Sequence, residues 1–188
     1  VEWALLVVVA TIWGSSFLFI AEGLESFAPA FVTSGRFVLG FATLLAFPQA
    51  RRPVAGADWP GIIAISVIWM ALPMYMFPVA QQWISSSLAG MLNGAMPLFA
   101  ATIAALLLRT RPAINQLGGL LVGFAGVALV SARGGSGSEN GYLGVALLLF
   151  AVTCYGLGVN LAVPLQQRAG ALPVLLRALG IATALTLP

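Results

Sequence analysis

"LGFATLLAFP" at Leu39–Pro48 returns 140 residues later as "LGIATALTLP" at Leu179–Pro188, with six of ten positions identical. Outward from this pair, "ALLVVVATIWG" (Ala4–Gly14) lies over "ALLLFAVTCYG" (Ala146–Gly156) at an offset of 142. Ala, Leu, Leu, Thr and Gly coincide there, and Trp13 is exchanged for another aromatic, Tyr155. Arg36 and Arg177 add a third correspondence, standing three and two residues before the matching Leu-Gly. Two segments that recur in one order at nearly one offset mark an internal duplication.

The composition names the solvent. Of 188 residues, 61% are hydrophobic and 7% charged, against about a quarter charged in a soluble domain. So few charges cannot cover a water-facing surface, and a lipid bilayer is the environment that suits such a chain. Seven apolar segments of helix-spanning length can be marked, at about 3–21, 28–47, 60–80, 88–108, 115–132, 141–163 and 172–188. Gly, Pro, Ser and charge gather in the connections between them. The expected fold is an all-α integral membrane bundle. The chain opens on Val with no basic stretch ahead of the first apolar run, and stops at Pro188 while still apolar. The expectation is therefore a piece of a longer chain, not one trimmed of a signal peptide.

The net charge of +3 rests on eight Arg, and their placement orients the bundle. Arg51, Arg52, Arg109, Arg111 and Arg168 fall in alternate connections, while Arg133 alone falls in the others. Retention of Arg on the cytoplasmic side puts the even-numbered loops and the N-terminus inside. Glu22, Glu25 and Glu139 then face outward. No tract of basic residues interleaved with aromatics exists, so nucleic acid is not an expected partner.

Five spans separate each segment from its copy, and an odd number reverses the direction of entry. The duplication is therefore read as an inverted-topology repeat, the plan by which secondary transporters form a site at the repeat interface. Residues 1–133 would make the first five-helix repeat and 141–188 the first two helices of a second. About seven spans of an expected ten are visible. "TIWGSSFLFI", "FAPAFVTSGRFVLG", "SSSLAGMLNGAMPLFAATIAALLL" and "QLGGLLVGFAGVALV" together resemble the EamA-type family of the drug/metabolite transporter superfamily. The resemblance implies ten helices and export of small metabolites, amino acids among them. One departure stands out: where that family has Leu-Gly-Glu ending span four, this chain reads Leu108, Arg109, Thr110.

Candidate path residues follow from polar groups inside apolar runs. Trp13 and Ser16 lie in span one, where Ala10 and Gly14 also form a small-xxx-small pair suited to close helix approach. Arg36 sits well inside span two, with either a substrate anion or a rim acid, Glu22 or Glu25, as its expected partner. Pro73 and Pro78 in span three and Pro97 in span four free the carbonyls of Trp69, Met74 and Asn93, and interrupted helices point to transporter sites. Tyr75, Tyr155 and Asn160 complete the expected set of Trp13, Ser16, Arg36, Trp69, Tyr75, Asn93, Tyr155 and Asn160. Gly119 and Gly123 form a GxxxG of the helix-packing kind.

Enzymatic chemistry is not expected. The chain has no His and one Cys, Cys154, inside an apolar run. Neither a metal site nor a His-based triad can be assembled, and no cofactor is implied. The expected function is secondary transport that exports small metabolites across the inner membrane. A channel or a non-transporting membrane scaffold is the alternative, the channel being disfavoured by the isolation of the polar residues. Expected partners are a small-molecule substrate and the bilayer, with a homodimer left open.

The orientation is testable by single-cysteine labelling of Val54→Cys in a Cys154→Ser background. An impermeant thiol reagent is expected to leave position 54 unlabelled in intact cells and to label it after permeabilisation; labelling in intact cells would reverse the orientation.

Overall fold

The computed structural model describes residues 2–107, 113–134 and 139–187. Arg109, Arg111, the Leu108-Arg109-Thr110 departure, the middle of the fifth connection and Pro188 lie outside the described residues. The helices run α1 (Glu2–Leu24), α2 (Pro29–Leu45), α3 (Trp59–Ile65), α4 (Leu72–Ala80), α5 (Ser86–Asn93), α6 (Met96–Leu107), α7 (Ile114–Gly134), α8 (Gly141–Ala169) and α9 (Ala171–Thr186). Tight 3-10 turns at Pro48–Arg51 and Gly56–Asp58 join α2 to α3, and a π-helical segment, Ser66–Ala71, joins α3 to α4. No strand occurs among the described residues. The protein is an all-α, multi-span membrane protein.

Among the described residues, five stretches are long and apolar enough to cross a membrane: Glu2–Leu24, Gly56–Ala80, Ser86–Leu107, Ile114–Arg133 and Gly141–Ala169. The second and seventh expected spans come out shorter, at 17 residues for α2 and 16 for α9. At 1.5 Å per residue α2 rises only about 26 Å, less than the roughly 30 Å hydrocarbon core. These two short helices carry the duplicated decapeptide, and they pack on each other. Leu179 Cδ1 lies 3.5 Å from the place a Cβ on Gly40 would take, and Phe41 Cε2 lies 3.0 Å from that of Gly180.

Proline sets where the rods lose regularity. Pro73 lacks an N–H, and its ring needs room at the carbonyl four residues back, Trp69. The helix widens just ahead of it, so that Leu72 N–H donates to Val67 O, one residue further back than in an α-helix. At Pro97 the helix breaks outright. Ala95 N–H donates to Leu92 O at 3.0 Å and Leu98 N–H to Ala95 O at 2.9 Å, both i→i−3 bonds across the join of α5 and α6. Pro78, expected as a third kink, lies within α4, which runs on to Ala80. The α5 start is conventional: Ser85 Oγ accepts from Leu88 N–H at 3.2 Å.

α8 is the central element, packed against α3, the π segment, α4, α5, α6, α7 and α9. Two glycines make that closeness feasible. A Cβ at Gly156 would stand 2.9 Å from Ala100 N, and one at Gly158 would collide with Trp69 Cβ and stand 2.9 Å from its Cα. By contrast Gly14 has nothing within 4 Å, so the expected close approach at Ala10 and Gly14 is not made; of the GxxxG pair, Gly123 meets Leu98 and Gly119 meets nothing.

Two main buried clusters lie at different depths. One joins Phe17 and Ile20 of α1 to Phe77, Leu88, Leu92, Leu148 and Val152. The other joins Ile62 and Ile65 to Ala162, Leu165, Val174 and Ala178. Beneath the second, Arg168 donates through Nε (3.2 Å) and Nη2 (2.9 Å) to Asp58 Oδ1. Arg177 Nη1 donates to the carbonyls of Ala50 (3.0 Å) and Pro173 (3.1 Å). Gly170, at φ +87°, makes the tight turn between α8 and α9 in a conformation that L side chains rarely adopt.

Gly158→Ala is expected to destabilise the protein by about 1–3 kcal/mol, the usual cost of overpacking against atoms that cannot retreat. Gly14→Ala, facing open space in a helix, is expected to be neutral or stabilising by up to about 1 kcal/mol. Melting temperatures of the two purified variants measured side by side check the contrast.

Candidate functional site

Between the two buried clusters lies a cavity of about 450 Å³, within the range of small-molecule sites. α1 contributes Trp13, Ser16 and Phe17, and α2 contributes Arg36. The π segment turns Trp69 and Met70 toward it, α4 adds Met74 and Phe77, the α5–α6 join adds Asn93 and Met96, and α8 adds Tyr155. Both interruptions of helical regularity therefore border the same space.

Arg36 sits seven residues after Pro29, roughly 10 Å along α2. A charge at the centre of a spanning helix costs at least about 2.5–3.5 kcal/mol on insertion scales, so its partners matter. Its Nη2 donates to Ser16 Oγ at 2.9 Å. The expected alternative of Glu22 or Glu25 is not realised: both are exposed at the end of α1 and form no ion pair with Arg36. Ser16 lies six residues further into α1 than Glu22, about 9 Å along the axis, and meets the guanidinium at its own depth. The polar network stays local, because a hydroxyl already in the wall saves the side chain from stretching to the rim.

The opposite wall is aromatic. Phe17 and Phe77 have ring centroids 5.6 Å apart, and Phe77 and Tyr155 5.8 Å. Tyr155 Oη donates to Met74 Sδ at 2.7 Å. The described lining thus offers a guanidinium, a hydroxyl, an amide, a phenol and two indoles, and contains no Asp or Glu. Such a set can hold and orient a solute. No group of three or more His, Cys, Asp or Glu residues able to hold a metal ion occurs among the described residues.

Six of the eight expected path residues line this cavity: Trp13, Ser16, Arg36, Trp69, Asn93 and Tyr155. The other two do not. Tyr75 is 41% exposed and borders a separate hollow with Leu72 and Leu185. Asn160 Nδ2 donates to Ala100 O (3.0 Å) and Gly156 O (2.8 Å), which makes it a fastener between α8 and α6. Met70, Met74, Phe77 and Met96 were not anticipated, since an apolar residue facing a cavity is written like one facing lipid. The GLG of Gly156–Gly158, placed directly after the Tyr155 that matches Trp13, was the available signal for the close α8 contacts.

The sequence profile of the EamA-like transporter family matches residues 2–132. An S-adenosylmethionine/S-adenosylhomocysteine transporter of Chlamydia trachomatis is 36% identical over 153 residues, covering 77% of this chain and 46% of its own length. An uncharacterized inner membrane transporter of Escherichia coli is 28% identical over 176 residues, covering 87% and 55% respectively. An uncharacterized transporter of Archaeoglobus fulgidus is 22% identical over 130 residues, covering 69% and 47%. The chain spans about half the length of these curated relatives. No solved structure matches it with significance.

Asn93→Leu removes the amide beside the α5–α6 break and leaves an apolar side chain that helix packing tolerates. The expected outcome is an unchanged melting temperature, to within a few degrees, and about tenfold weaker binding of polar solutes, the worth of one hydrogen bond. Titration of solute onto wild-type and variant protein, followed by thermal unfolding of the same samples, checks both halves.

Proposed function

We propose that this chain, which belongs to the EamA-like transporter family, works as a secondary transporter that exports small metabolites across the inner membrane. Its N-terminus is cytoplasmic on this reading, and transport proceeds by alternating access between two inverted five-helix repeats, of which residues 1–133 form the first and 141–188 begin the second. The observation that carries the proposal is the coincidence of one cavity, open along the exposed Val9, Ile12 and Trp13 of α1, with both helix interruptions, the π segment at Trp69 and the break at Asn93. Discontinuous helices at membrane depth are tolerated where they border a cavity, and transporters build substrate sites from them.

The path residues in this reading are Trp13, Ser16, Arg36, Trp69, Asn93 and Tyr155. The largely apolar walls between them support stepwise carriage over a water-filled channel, which would need a continuous polar stripe. The name of the chlamydial relative puts S-adenosyl compounds among the solutes to be tried.

The full chain reconstituted in liposomes, preloaded with unlabelled solute and supplied with the same solute in labelled form, is expected to show saturable counterflow above protein-free liposomes. The panel includes S-adenosylhomocysteine, amino acids, organic acids and amines. Folded protein that moves none of them would remove the transporter reading.

A further inference from the structure

The geometry points to a substrate class for the cavity: monoanionic organic carboxylates with a planar, apolar body, held by Arg36 at one end and by Trp13 and Trp69 along the body. This deepens the transporter reading and rests on it.

Three arginines of the helices, Arg36, Arg168 and Arg177, are satisfied in different ways. Arg168 binds Asp58 Oδ1 with two nitrogens. Arg177, the counterpart of Arg36 in the duplicated stretch, is held by the carbonyls of Ala50 and Pro173 and borders neither hollow that Arg36 borders. Arg36 hydrogen-bonds one neutral group, Ser16 Oγ, and its side chain lines the cavity that Tyr155 also lines and a second hollow between α1 and α2. Neither hollow is lined by an Asp or Glu among the described residues. A cation removed from water calls for an anion, and among the described residues around Arg36 none supplies it, which leaves the guanidinium available to an anionic ligand.

The form of that anion follows from the donor. Guanidinium offers five N–H groups in a planar fork, which fits a carboxylate with two parallel bonds. Among the described lining residues Arg36 is the single cation, joined by the hydroxyls of Ser16 and Tyr155, a set that matches one negative charge. The rest of the lining suits an apolar body: two indoles, the Phe17–Phe77–Tyr155 ring series, and the adaptable side chains of Met70, Met74 and Met96. An ammonium on the same ligand finds no carboxylate among the described lining residues, so they give an α-amino group no charge partner.

Trp13 and Trp69 also supply the readout, because a ligand in the cavity changes indole fluorescence. The purified full chain is titrated with 3-phenylpropionate, 3-phenylpropanamide, phenylalanine, 2-phenylethylamine and phenyl phosphate. The expected result is at least about tenfold tighter binding of the acid than of its amide, with phenylalanine and phenyl phosphate no tighter than 3-phenylpropionate and the amine weakest. Arg36→Gln is expected to erase the acid's advantage while amide binding persists, and Arg36→Lys to restore part of it. Should Arg36→Gln fail to fold, the ligand series on unsubstituted protein decides. Equal affinity for acid and amide, tighter binding of the zwitterion, amine or phosphate, or no response to any of the five overturns the proposal. Counterflow separates it from its premise. Liposomes that exchange amines or neutral solutes but no carboxylate refute the substrate class and leave the transporter reading standing; liposomes that exchange nothing refute the transporter reading, while the titration still judges the carboxylate site.

Discussion

In hydrocarbon a backbone N–H or C=O has no water to turn to, so a chain can leave α-helical geometry at membrane depth only beside protein or a cavity. The rest of this structure depends on that constraint. Pro73 and Pro97 oblige two rods to depart from i→i−4 bonding, and the departures at Ser66–Ala71 and Gly94–Ala95 both border one space. The room for the first is supplied by α8, whose Gly158 lies directly against the backbone of Trp69. A side chain there would displace the π segment, and with it Trp69 and Met70 from the cavity wall. Packing and site are thus one arrangement: the regular parts of the helices form the two buried clusters, and the irregular parts form the hollow between them.

Charge placement follows a related rule. Arg36 and Arg177 are part-buried while Arg168 is largely exposed, and each finds a different partner. Arg177 uses backbone carbonyls of the Pro48–Arg51 turn and of its own helix, an answer that needs no second charge. Arg168 uses Asp58, whose side chain is 10% exposed while that of Arg168 is 60% exposed. The exposed end limits such a pair to about 1 kcal/mol or less, so its consequence is positional: together with Arg177 it fixes the α2–α3 connection to α8 and α9. Arg36 uses a hydroxyl, which satisfies one N–H and leaves the charge itself unmatched. The first two answers hold the fold together on one face, and the third leaves chemistry available in the middle.

The rods were legible in the sequence because apolar length is read directly, and the breaks because proline removes a donor wherever it stands. The π segment precedes Pro73 and the α5–α6 join precedes Pro97, whereas α4 passes through Pro78. Facing was less legible. Successive residues on a helix point about 100° apart, so a candidate's direction depends on how the helix is rotated by its neighbours. Tyr75 illustrates this: it lies between Met74 and Phe77, which line the cavity, yet points away from it. Asn160 lies four residues beyond Gly156, directly over that carbonyl, and its amide is occupied there and at Ala100. The Glu22 and Glu25 alternative for Arg36 failed on depth, since sequence distance to a rim acid says nothing of a serine on the facing helix. Gly14 failed for a different reason. A small-xxx-small pair permits a close approach but does not require a partner to make one.

The two walls of the cavity are held with unequal strength. On the α8 side, glycine contacts, the Asn160 fastener and a window that is 44% buried hold the backbone in place. On the α1 side only 11% of the corresponding window is buried within the chain, and Phe17 and Ile20 are the residues of α1 that enter the core. To these the Arg36–Ser16 bond adds a polar tie between α1 and α2. Within this chain the wall carrying Trp13 and Ser16 therefore makes the fewer buried contacts of the two. A carboxylate that takes the fork of Arg36 competes with Ser16 for the same donors. In the proposed carboxylate complex the ligand and Ser16 would share the donors of Arg36, so binding there would act directly on the tie between α1 and α2.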